Sequence, residues 1–214
     1  MRLLTNISGH RARSTARRAR KWLYAGITTL LSFQIFHVTS SASLPSEVRP
    51  EFITAHRGSS FAAPENTLEA IRRAIYDRAG MVEFDVRLTA DGVAVLSHDD
   101  SLKRTAGVDM FVSKSAYADI KDIDVSHSFA RTYPSVHIPT LEEALKTAKG
   151  RLQVNIELKP TVGQTGLVEE VVRVVTERGM EEDAVVTSFS RELLAEVRER
   201  SETLKTGLII GNRK

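Results

Sequence analysis

Three acidic side chains raise the question of chemistry: Glu83 and Asp85 in "MVEFDVRL", and Glu157 in "QVNIELK". Both stretches alternate polar and apolar residues with the two-residue period of a β-strand. Val82, Phe84 and Val86 therefore share one face, and Glu83, Asp85 and Arg87 the other. In the second stretch Val154, Ile156 and Leu158 oppose Asn155, Glu157 and Lys159. A strand with one solvated face would read the same way. If the polar faces line an interior, three carboxylates need a cation, because burying one unpaired is costly. Lysine or arginine could neutralise them as ordinary salt bridges. A divalent ion would do so with more functional sense, and oxygen-only ligands select a hard one, Mg²⁺ or Ca²⁺.

His56 closes the strand-like run "EFITAH" and His98 closes "VAVLSHD". A lone histidine is most often a hydrogen-bonded structural residue. Two at equivalent strand ends, beside a carboxylate cluster, suit an acid/base pair. Arg57 adds a planar cation matched to a phosphate, and Lys159 a second positive charge. Gly58 lets the backbone turn close to whatever is bound. A hard cation, two imidazoles and two fixed cations suit phosphoryl chemistry. Charge on the phosphoryl oxygens is offset while one histidine activates the attacking oxygen and the other protonates the leaving alcohol.

These residues must be positioned by strands and helices that alternate along the chain. "NTLEAIRRAIYDRA" reads as a helix with Asn66 as N-cap and Glu69 placed for a capping box. "TLEEALKTAKG" repeats the signature at Thr140 and Glu143 and stops on Gly150. "GLVEEVVRVVTERG" and "SRELLAEVRERS" are two more helices, "AVVTSF" and "KTGLII" two more strands. Such alternation predicts a parallel sheet covered by helices, either a (β/α) barrel or an open doubly wound sheet. "HRGSSFAAPEN" lacks the spacing of a dinucleotide-binding fingerprint.

The first 21 residues form a basic segment: Arg2, Arg11, Arg13, Arg17, Arg18, Arg20 and Lys21 precede any acidic residue. These seven exceed the net charge of +3 by four, so the remainder carries −4. The basicity belongs to the tail and gives no reason to expect nucleic acid as a partner. With no cysteine, disulfides and thiolate metal sites are excluded. Residues 22–39 hold no formal charge and are expected to form a signal or membrane-anchor helix. The apolar heart, Leu23–Val38, would span about 24 Å as a helix, a little under the ~30 Å hydrocarbon layer. An amphipathic helix of a soluble protein is the rival reading. Export or anchoring puts the basic side in the cytoplasm and the remainder on the extracytoplasmic side, with the membrane as a partner. Residues 40–51 read as a linker, and 52–214 as the folded domain.

Together "HRG…APENTLEAI", "EFDVRLTADGVAVLSHDDSLKRT", "IPTLEEAL", "NIELKP" and "TSFS" resemble the glycerophosphodiester phosphodiesterase family, in the family's order. The resemblance implies a TIM barrel and a divalent cation, Ca²⁺ or Mg²⁺, held at Glu83, Asp85 and Glu157. It also implies catalytic histidines at His56 and His98, and phosphate contacts at Arg57 and Lys159. Glu65, next to Asn66, would lie near the metal. The implied reaction is hydrolysis of glycerophosphodiesters to glycerol 3-phosphate and an alcohol. A membrane-associated branch of the family carries transmembrane helices before the catalytic domain, and Trp22–Val38 resembles the last of these.

A complete (β/α)₈ barrel takes about 250 residues, whereas 163 follow from Phe52 onward. Six strands are countable, so the expectation is a TIM-type barrel lacking its last strands. That leaves two other readings beside the enzyme: a catalytically impaired remnant or binding module, and a phosphodiesterase for lysophospholipids or sphingomyelin. The segment Ala106–His137 occupies the family's insertion and is short, which suits a small open substrate. Its His127, Tyr133 and His137 read as surface or packing residues. The sequence carries no signal of oligomeric state.

Overall fold

A computed structural model describes residues 53–126 and 129–211. The basic segment, the apolar run and the linker (residues 1–51), Phe52 and His127 lie outside the described residues. No helix among the described residues is long and apolar enough to cross a membrane.

The elements follow the order β1 (Thr54–Ala55), α1 (Leu68–Tyr76), β2 (Met81–Leu88), β3 (Ala94–Leu96), α2 (Lys103–Ala106), a 3-10 turn (Val112–Lys114), α3 (Tyr117–Ile120), α4 (Leu141–Ala148), β4 (Gln153–Leu158), α5 (Leu167–Arg178), β5 (Ala184–Ser188), α6 (Arg191–Arg200) and β6 (Lys205–Leu208). Five strands are parallel and lie in the order β1-β2-β4-β5-β6. Each parallel strand is laid beside its predecessor with no reversal of direction. A doubly wound sheet must reverse, so this arrangement decides for the barrel-type winding.

The face of Val82, Phe84, Val86, Val154, Ile156 and Val186 packs against Ile71, Leu145, Val171, Val175 and Val197 of α1, α4, α5 and α6. All four helices thus cover one side of the sheet and leave the other for polar residues. Their ends follow local chemistry. Thr140 caps α4 in a full capping box with Glu143, and Gly179 ends α5 in the left-handed conformation.

Two expectations are corrected. "VAVLSHD" is not a parallel barrel strand: β3 pairs antiparallel with β2, Val86 opposite Leu96 and Leu88 opposite Ala94. The turn between them is too short for the crossover a parallel pair requires. His98 therefore reaches the site on a returning hairpin and not from an equivalent strand end. Asn66 is not the cap of α1. Thr67 takes that role, its side chain accepting from Ala70 N, while Asn66 sits at φ 56. A left-handed residue is displaced from the extended geometry an N-cap adopts, and its side chain is free for other work.

Candidate active site

Parallel register puts Asp85 opposite Glu157 and Glu83 opposite Asn155, so the carboxylates project from neighbouring strands on the face away from the helices. Glu83, Asp85 and Glu157 are all buried, and one oxygen of each lies within 4.8 Å of the others. Their second oxygens are committed. Glu83 Oε2 accepts from Arg57 N at 2.7 Å. Asp85 Oδ2 accepts from the Asn66 amide at 2.9 Å, while Asn66 Oδ1 accepts from Asp85 N at 3.0 Å. Glu157 Oε1 accepts from Lys159 Nζ. Glu83 Oε1 and Asp85 Oδ1 are buried with no hydrogen bond, although Lys159 Nζ stands 3.1 Å from the latter. Buried oxygens rarely stay unpaired. All-oxygen donors with orphaned lone pairs fit a hard divalent cation, and Lys159 supplies only part of the charge that such an ion would bring.

The strain shows in Glu83, whose carboxyl is pushed up to about 7. Burial is the main cause. The Arg57 N–H opposes it, while the charges of Asp85 and Glu157 add to it. Between the usual value of 4.5 and about 7, the folded chain holds a proton that the unfolded chain has lost. Raising pH through that window therefore costs the cation-free fold stability, on the order of 3 kcal/mol by pH 8. Urea midpoints at pH 5.5 and 8 should show the part of this loss that falls above pH 5.5, about 2 kcal/mol in the wild type, and a much smaller one in Glu83→Gln. Equal pH slopes in the two proteins would remove Glu83 as the cause.

The remaining residues surround this ring. His56 ends β1 with Nε2 3.7 Å from Glu83 Oε2 and is largely exposed. Arg57 bonds Glu65 at 3.1 Å through Nη1 and approaches Asp85 Oδ2 at 3.4 Å through Nε. Gly58, at φ 75, turns the chain back so that Gly58 N donates to Glu83 O at 3.0 Å. Lys159 also stands over the Phe189 ring, 5.9 Å from its centroid. His98 lines a small cleft with Glu65 and Asn66, its main chain held by Arg87, which donates to His98 O at 3.0 and 2.9 Å. Glu65 is not among the oxygens of the ring. Arg57 and Arg104 occupy its carboxylate, so it meets the ring only through Arg57. Tyr133 is half-buried, edge-on to Phe129 at 6.3 Å, and His137 is exposed, in keeping with packing and surface roles.

Sequence reading gave no role to Asp99, Arg104 or Arg87. The signal was a histidine followed at once by two aspartates, with an arginine one turn further on. Asp99 joins the site, whereas Asp100 fastens the insertion by accepting from Ser113 N and Oγ, both at 2.8 Å. Nothing in the sequence distinguishes the two aspartates.

Known proteins resemble this chain in sequence and in fold. A glycerophosphodiester phosphodiesterase of Caldanaerobacter subterraneus subsp. tengcongensis is 35% identical over 159 residues, covering 73% of this chain and 65% of that protein. One from Bacillus altitudinis is 39% identical over 146 residues, covering 67% and 60%. Among solved structures, an Oleispira antarctica phosphodiesterase in complex with the product sn-glycerol-3-phosphate aligns with a TM-score of 0.69 and 33% identity, covering 72% of this chain and 64% of that one. A glycerophosphodiester phosphodiesterase from Agrobacterium tumefaciens aligns with a TM-score of 0.64 and 31% identity, with the same coverage. The chain thus spans less than two thirds of the length of each of these relatives. With these neighbours, the singly wound sheet is that of a TIM-type barrel. The family model described as "Glycerophosphoryl diester phosphodiesterase family" matches residues 56–214, from the first site histidine onward, and the chain belongs to that family.

Proposed function

We propose that this chain hydrolyses glycerophosphodiesters to glycerol 3-phosphate and an alcohol, using a divalent cation, Mg²⁺ or Ca²⁺. The observation that carries this reading is the buried ring of Glu83, Asp85 and Glu157, with two oxygens lacking hydrogen bonds. Relatives bearing the name glycerophosphodiester phosphodiesterase, and the glycerol 3-phosphate held by the Oleispira protein, support the substrate class.

Glu83, Asp85 and Glu157 would hold the cation, whose chemistry is to offset negative charge on the phosphoryl oxygens. Arg57 and Lys159 orient the phosphate and take up part of its charge. Of His56 and His98, one removes a proton from the attacking water, whose oxygen forms the new P–O bond, and the other returns a proton to the alcohol as its P–O bond breaks. Exchange with solvent then resets the pair. Glu65 and Asn66 keep Arg57 and Asp85 in place, and Gly58 lets the loop lie against the site.

Glycerol 3-phosphate release from glycerophosphocholine, measured with and without EDTA, tests the proposal. Release that EDTA stops and added cation restores is the expected result. Folded protein that takes up cation yet releases nothing would mark a binding module instead.

A further inference from the structure

Arg104 projects from α2, a single helical turn, and joins two loops that the sequence keeps far apart. Its Nε donates to Asp99 Oδ2 at 2.6 Å, and Nη1 and Nη2 donate to Glu65 Oε2 and Oε1 at 3.0 and 2.7 Å. The other oxygen of Asp99 lies 2.7 Å from His98 Nδ1. Glu65 Oε1 also accepts from Arg57 Nη1. One guanidinium therefore sits at the middle of a continuous chain running from Arg57 through Glu65 and Asp99 to His98. Burial, the largest single effect, opposes the ionisation of both carboxyls, but the hydrogen bonds and charge of Arg104, joined by those of Arg57 at Glu65 and of His98 at Asp99, together hold both below the usual carboxylate range.

An ionised Asp99 can only accept, so His98 must present an N–H at Nδ1. In the neutral ring that fixes the proton on Nδ1 and leaves the lone pair on Nε2. The His98 carbonyl is clamped separately by Arg87, so the backbone and the ring are held by different partners. We propose that Arg104 is a positioning residue: through Asp99 it fixes the tautomer and orientation of His98, and through Glu65 it ties that setting to Arg57. The planar fork suits the task, because its donors are spread over three nitrogens and reach carboxylates on two separate loops, two oxygens of one and one of the other, where an ammonium presents its donors from a single atom.

The proposal rests on the functional reading above for its importance, but not for its test. In cation-loaded wild-type protein, ¹⁵N-edited NMR of the imidazoles, with His98 assigned by comparison with His98→Gln, should show the Nδ1–H form. Arg104→Met should lose that preference and lower kcat about 10- to 100-fold, the cost typical of removing an outer hydrogen-bond partner. Cation affinity should be unchanged, and added guanidinium should restore part of the rate in Arg104→Ala. Should Arg104→Met fail to fold, Arg104→Lys, which keeps one charge but not the fork, carries the same measurements. A wild-type tautomer in the folded variant overturns the proposal, as does a loss of cation affinity in step with kcat. If neither wild type nor variant turns over substrate while the tautomer still changes, the positioning role stands and the functional reading falls.

Discussion

Glu157→Gln should reduce cation affinity and glycerol 3-phosphate release by at least about 1000-fold: a unit charge about 4 Å away is worth ~4 kcal/mol to another unit charge at an effective dielectric near 20, and a divalent ion feels twice that. The amide is nearly the same size as the carboxylate, so packing between β4 and its neighbours is kept. What changes is that a cation meets two negative charges where it met three, and Lys159 loses the partner that draws it toward Glu157. The cation-free variant should be at least as stable as the wild type at pH 8. The charge removed is one of those that hold Glu83 up near 7. Titration calorimetry with Mg²⁺ and Ca²⁺ reads the affinity, and urea unfolding without cation supplies the control. Wild-type affinity in a folded variant would remove Glu157 from the ring.

Gly58→Ala should lower stability by about 2–5 kcal/mol, adding ~1–2 kcal/mol for an L-residue in the left-handed region to ~1–3 kcal/mol for overpacking. An added Cβ would stand 2.4 Å from Ala70 Cβ and 2.8 Å from the Ala70 carbonyl carbon. Ala70 lies inside α1 and its carbonyl already accepts from Ser59 N at 3.0 Å, so relief requires moving the helix. Moving α1 also moves Thr67 and Asn66, and with them the amide that holds Asp85. The variant should therefore lose cation affinity as well as stability. An unchanged urea midpoint would mean that the loop and α1 do not approach this closely.

Much of this was legible because the physics is local. Alternation of apolar and charged residues in β2 and β4 fixed which face each carboxylate takes, and pairing of neighbouring strands then brought them together. Thr140 with Glu143, and Gly166 with Gly179, marked helix ends that depend on nothing distant. The errors arose where two local signals competed or where no local signal exists. Asn66 and Thr67 are both good caps, and only the pull of Asp85, nineteen residues away, decides between them. Strand residues carry no mark of direction, and the sense of β3 was written only in the shortness of the turn before it. Arg104 meets Glu65 across a separation of 39 residues, so its role became visible only with the fold.

The antiparallel return of β3 divides the molecule's labour. The carboxylates stand on consecutive parallel strands whose hydrogen bonds run unbroken through β2, β4 and β5. His98 hangs from a three-pair ribbon that leads straight into the insertion between residues 106 and 137. Reshaping that insertion acts first on the ribbon and on the turn before β3, where Ala90 N donates to Ser115 O at 2.9 Å. Under the proposed function, such a scaffold would change which alcohol group it accepts by rebuilding that one flap, with the strands that carry Glu83, Asp85 and Glu157 kept in place.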